Sequence, residues 1–124
     1  MSPPMSSSLT PDLDPEAIAN LRALGDEGDD TFLKEIIGIY LQDTPLRLAD
    51  LRLAATKGDA ALYTRAAHTI KGSSSNVGAV CVRSLAERLE HRSKSEAHAT
   101  LEPLLTELES AFARAEIELR KIIA

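Results

Sequence analysis

The chain has 124 residues and only 3% aromatics, which allows one domain whose core is built from Leu, Ile, Val and Ala, a palette suited to packed helices. A net charge of −5 excludes a general nucleic-acid binder, and the single cysteine, Cys81, excludes an internal disulfide and a zinc cluster. No apolar run reaches the roughly 20 residues of a membrane span and the N-terminus lacks a signal-peptide stretch, so a cytoplasmic protein with no membrane partner is expected.

Residues 1–12 are rich in Ser and Pro without periodicity and read as a disordered tail ahead of a single domain over 13–124. Met1 and this tail favour a free-standing protein. Asp14-Pro15-Glu16 is a helix start, with an N-cap, a proline at the first position and an acid in the first turn. Ile18, Leu21 and Leu24 line one face, and Gly25 stops the helix. A second helix begins at Gly28-Asp29-Asp30 and carries Phe32, Ile36, Ile39, Tyr40, Leu48 and Leu51. Pro45 predicts a kink there, or a new start capped by Asp43 or Thr44. Lys57-Gly58-Asp59 ends that element and caps a third helix from Ala60 to Val77, with Gly78 as a break or tight contact. A fourth helix covers Ala79 to about Glu90, with Val82, Leu85, Ala86 and Leu89 inward and Cys81 as a semi-buried core residue. Residues 91–99 read as a polar loop. A last helix starts near Thr100, tolerates Pro103 in its first turn and shows a stripe from Leu101 to Ile122. No segment shows strand alternation, so the fold class is all-α: an antiparallel four-helix bundle with a short additional N-terminal helix.

The third helix is the informative one. At about 100° per residue, with Ile70 at zero, Tyr63, Leu62, Ala66, Ser73, Ser74 and Val77 form a core face. His68 lands at about 160°, nearly opposite, with Ala61, Thr64, Arg65, Lys71, Gly72 and Ser75 on the same outer side. The imidazole therefore projects into solvent. Lys71, one turn on, places an ammonium where it would stabilise an anionic group attached to the ring. Gly72 costs a helix interior roughly 1 kcal/mol relative to Ala, and three serines follow it. Clearance is a physical reason for that weakness, because a bare surface lets a concave partner close over His68. Singly, each feature has an ordinary reading as a surface histidine, a solvated charge or a close helix contact. Together they point to a nucleophile or an anion site.

The run Ala67-His68-Thr69-Ile70-Lys71-Gly72-Ser73-Ser74-Ser75-Asn76-Val77-Gly78-Ala79 resembles the signature of histidine-containing phosphotransfer (HPt) domains. That pattern has a His, a Lys three later, a Gly directly after it, small residues and another Gly before the next helix. Phe32-Leu33-Lys34-Glu35-Ile36-Ile37 with Tyr40-Leu41-Gln42-Asp43-Thr44-Pro45 is similar to the family's second helix. The resemblance implies that His68 accepts a phosphoryl group on Nε2 from a receiver-domain aspartyl phosphate and passes it to another receiver aspartate. Lys71 would balance the phosphate charge, and Ala61, Thr64, Arg65, Gly72 and Ser75 would line the docking surface. The partners implied are receiver domains of response regulators and hybrid histidine kinases. The receiver would supply Mg²⁺ and the catalytic pocket, so the chain needs no cofactor or metal of its own and is a phosphocarrier, not an enzyme.

Other readings carry less. A histidine kinase needs an ATP-binding domain for which the chain has no room. A metal-binding bundle lacks His pairs at helical spacing and any Glu-x-x-His motif, and His91 and His98 read as solvated residues near a loop. A non-catalytic helical scaffold in signalling is the alternative, against which the joint presence of His68 and Lys71 argues. A monomer is expected, because a relay needs His68 exposed.

Overall fold

The computed structural model describes residues 12–124. Asp14 caps the first helix, α1 (Pro15–Ala23), its carboxylate accepting from the Glu16 N–H at 3.0 Å. The second, α2 (Thr31–Lys57), begins where Asp29 accepts from the backbone N–H and hydroxyl of Thr31. It ends at Gly58, whose φ of 69° is a left-handed cap. Asp59 then accepts from the Leu62 N–H at 3.0 Å and starts α3 (Ala60–Val77). After Gly78 come α4 (Val80–Arg92), a 3₁₀ turn (His98–Leu101) and α5 (Glu102–Ile123). Among the described residues there is no strand. None of the helices is long and apolar enough to cross a membrane.

The short connections make α2 and α3, then α3 and α4, antiparallel neighbours. Helix α5 closes the bundle by packing on α4 and α2, and α1 lies across the ends of α2 and α3. The architecture is the expected all-α bundle with an extra N-terminal helix. Its core is aliphatic, with Leu33, Ile37, Leu51, Ile70, Leu89, Leu105, Leu108 and Leu119 essentially inaccessible to solvent. At the α2–α3 seam the buried Tyr40 hydroxyl pairs with the Ser74 hydroxyl at 2.8 Å, and burial pushes the phenol up to about 12. A satisfied buried polar pair fixes the helix register in a way that interchangeable leucines do not. At the opposite seam Arg52 of α2 binds Glu109 and Glu102 of α5, which hold its guanidinium well above its usual range.

Four expectations are corrected. Helix α2 runs unbroken through Pro45, and no new helix starts at Asp43 or Thr44. Pro45 sits on the exposed side, where its ring meets water and the helix is held by its buried stripe on the other side. The stretch read as a loop over 91–99 is shorter, because α4 continues to Arg92 and a 3₁₀ turn begins at His98. That turn is pinned by stacking of the His98 ring on the buried Tyr63 ring, centroids 4.2 Å apart, so His98 is a packing residue and not a solvated one. Asp12, assigned to the tail, pairs with Arg114 of α5 at 3.2 Å. The rest of that tail, residues 1–11, lies outside the described residues.

Gly78 is both the break and the tight contact. Its φ is 72°, and its carbonyl accepts from the Asp14 N–H at 2.8 Å, which draws α1 down onto the α3–α4 turn. A Cβ at this position would lie 2.7 Å from Cβ of Ala17 and 3.1 Å from the Asp14 carbonyl oxygen. Gly78→Ala therefore combines a left-handed backbone with a clash, and should destabilise the protein by about 2 kcal/mol or more in urea denaturation. Gly72→Ala should stabilise it by up to roughly 1 kcal/mol, because nothing lies within 4 Å of the added carbon.

Candidate functional site

Helix α3 buries Tyr63, Ala66, Ala67, Ile70, Ser74 and Val77 between its two neighbours. That leaves one strip facing outward, and His68 stands on it with 64% of its side chain exposed. Ala61, Arg65, Gly72 and Ser75 are exposed on the same strip, as the wheel predicts. Thr64 and Lys71 sit at its edge, half-buried toward α4. The Thr64 hydroxyl is bonded to that of Ser93 at 2.9 Å, which ties α3 to α4. Leu62 and Ser73, expected in the core, are half-buried at the border with α2.

The residue that sequence reasoning missed is Glu90, near the end of α4. One carboxylate oxygen lies 2.8 Å from His68 Nδ1 and the other 2.8 Å from Lys71 Nζ. A single carboxylate thus bridges the two functional side chains of α3. Burial of Glu90, whose side chain is 15% exposed, pushes its carboxyl up. Hydrogen bonds from Lys71 and His68, and their charges, outweigh that burial and hold it below the usual carboxylate value. An ionised Glu90 is acceptor-only, so Nδ1 carries the proton and donates. The lone pair of the neutral ring is then on Nε2, the nitrogen turned away from Glu90. A signal for Glu90 was present in the sequence: His68 and Glu90 lie eleven residues either side of Ala79, so an antiparallel hairpin of two helices brings them level.

Gly72 is open on its outer side, with no atom within 4 Å of the position a Cβ would take. Internal packing does not require glycine there. Among the described residues no group of three His, Cys, Asp or Glu side chains could hold a metal ion.

The fold and this site define a class: a helical bundle that presents an exposed imidazole fixed at Nδ1 and flanked by a lysine. Residues 35–118 match the Hpt domain family, and the chain belongs to that family. Among solved structures it is similar to the histidine-containing phosphotransfer protein B (HptB) from Pseudomonas aeruginosa PAO1. That likeness has a TM-score of 0.81 and 27% identity over 92% of this chain and 96% of that one. It shares its fold with the HPT domain of the Hpt sensor hybrid histidine kinase from Shewanella, with a TM-score of 0.73 and 18% identity over 90% of this chain and 92% of that one. Comparison with curated proteins gives no match. The chain is accordingly a histidine phosphotransfer domain of phosphorelay signalling, a family of phosphocarriers that work with receiver domains.

The Glu90 bridge has a pH signature. A carboxyl held below its unfolded value of 4.5 contributes stability that is complete above that pH and is lost as pH falls through the lower folded value. Glu90→Gln should therefore lose stability at neutral pH and show a shallower stability decline on acidification below about pH 4.5, followed by denaturant titration at each pH. Parallel pH profiles for the two proteins would remove the bridge from the stability of the fold.

Proposed function

We propose that His68 Nε2 is the phosphoacceptor of this relay domain, with Lys71 and Glu90 as its electrostatic partners. The observation that carries this reading is the orientation of the ring: it is exposed, its Nδ1 is occupied by Glu90, and Nε2 is the nitrogen turned away from that carboxylate. The Nε2 lone pair attacks the phosphorus of a receiver aspartyl phosphate. An N–P bond forms, the acyl P–O bond breaks, and the aspartate leaves as a carboxylate. The ring, now substituted on both nitrogens, carries positive charge next to the Glu90 carboxylate, which stabilises it as a buried acid stabilises an imidazolium in a catalytic triad. Return of the phosphoryl group to a second receiver aspartate reverses these steps.

Lys71 begins on Glu90 and has the reach to share its ammonium with the incoming phosphoryl oxygens. Ala61, Arg65, Gly72 and Ser75 form the bare surface on which the receiver sits, and Thr64 supports its edge through Ser93. The receiver supplies the pocket that catalyses transfer and the divalent cation, Mg²⁺, that in-line phosphoryl transfer uses. Glu90, the carboxylate beside His68, is already committed to two cationic partners, which supports that division of labour. A monomer built on residues 13–124 leaves this face free for the receiver.

His68→Gln should fold with a melting temperature within a few degrees of wild type, since one exposed hydrogen bond to Glu90 is lost, and take up no acid-labile, base-stable phosphate from a phosphorylated receiver with Mg²⁺. Labelling of the Gln variant would move the acceptor elsewhere. Lys71→Ala should slow transfer about tenfold without abolishing it, the loss of one charge-assisted contact worth roughly 1.4 kcal/mol. Glu90→Gln should release the ring. Nitrogen-15 spectra of His68 should then shift from the Nδ1–H tautomer toward a mixture, with slower transfer. A pure Nδ1–H ring in that variant would deny Glu90 its positioning role.

A further inference from the structure

The charges of this chain are segregated. Residues 60–92, which make up α3, α4 and their connection, hold five Lys and Arg against two acids, a net of +3, while the rest of the chain holds nine against seventeen, a net of −8. Residues 60–86 contain no acidic residue although the chain has 19. The two acids of this face, Glu87 and Glu90, are each paired with a cation of the same face, Arg83 at 3.2 Å and Lys71 at 2.8 Å. Among the described residues Arg65 and Lys94 enter no ion pair, and both are exposed. Each directly follows one member of the Thr64–Ser93 hydrogen bond that ties α3 to α4, and Arg65 stands about one turn from His68 on α3. The negative charge lies elsewhere, in Asp26, Glu27, Asp29 and Asp30 between α1 and α2 and in the five acids of α5.

From this polarity we infer that the α3–α4 face is an electrostatic landing surface for the acidic face of a partner protein, and that long-range attraction governs how fast the partner reaches His68. The inference rests on the phosphoacceptor reading only for the identity of the partner, a receiver whose transferable group is itself an anion. Opposite potentials raise encounter rates and orient the approach, while adding less to the lifetime of the complex. The acidic remainder of the molecule repels the same partner and so disfavours unproductive encounters. It also opposes the backbone of a nucleic acid, which favours a compact acidic protein surface over an extended polyanion.

The test is the association rate of the full chain with an isolated response-regulator receiver domain carrying Mg²⁺, read by stopped-flow fluorescence at increasing NaCl. The wild-type rate constant should fall about tenfold between roughly 20 and 500 mM salt. Arg65→Glu with Lys94→Glu should lower the low-salt rate about tenfold and flatten the salt dependence, with little change in dissociation, whereas Arg65→Lys with Lys94→Arg should behave as wild type. A salt-independent wild-type rate, or a charge-reversed variant that associates as fast as wild type, overturns the inference. Equally fast, salt-dependent capture of a DNA duplex overturns the assignment of a protein partner. Phosphoryl transfer read in parallel separates the two proposals. Transfer to His68 without charge-dependent association leaves the phosphoacceptor and removes steering; charge-dependent association without labelled His68 does the reverse.

Discussion

Helix α3 is wedged between α2 and α4, and the chemistry of the molecule follows from that constraint. Its packed neighbours cover one side of the helix and leave one strip for solvent. Ile70 and Val77 are sealed on the inner side, so His68 has nowhere to point but out. The same packing brings the end of α4 level with His68, so that a carboxylate from a different helix reaches the ring. An exposed histidine on an isolated helix would rotate freely between rotamers. Here one ring nitrogen is held by Glu90 and the other is left in the open.

The site balances charges that would be unfavourable alone. A half-buried carboxylate without partners would be costly, and burial does push Glu90 toward protonation. Lys71 and His68 reverse that tendency, and in return the carboxylate holds both side chains in position. The arrangement also suits an intermediate. A phosphoryl group brings negative charge toward Lys71 and leaves positive charge on the ring toward Glu90, so each new charge meets its opposite across a few ångströms.

Two glycines show how differently the same residue type can be used. Gly78 is demanded by the fold, because its left-handed backbone and the close approach of Ala17 exclude a side chain. Gly72 is demanded by nothing inside the molecule: its backbone is helical, and the space beside it is empty. A helix that accepts a weak former beside its one exposed imidazole, without an internal reason, is one whose surface is shaped for another molecule.

The local physics of each segment was legible in the sequence. Asp14-Pro15 and Gly58-Asp59 mark helix boundaries through capping chemistry that acts within four residues. The 3.6-residue period assigns Ile70 inward and His68 outward, and the run from His68 to Gly78 resembles one family closely enough to name it. Features that need two segments at once were decided by tertiary structure. Pro45 reads locally as a helix breaker, yet α2 continues through it, because burial of Tyr40, Leu41, Leu48 and Leu51 against the bundle outweighs one lost hydrogen bond. His98 reads as a loop residue, yet it stacks on Tyr63 from another helix. Glu90 sits one position past the inward Leu89 and looks like an ordinary surface acid until α4 folds back beside α3. Periodicity fixes which way a side chain leaves its own helix, but what it meets depends on the distance and register of the neighbouring helix, and those are set only when the core packs.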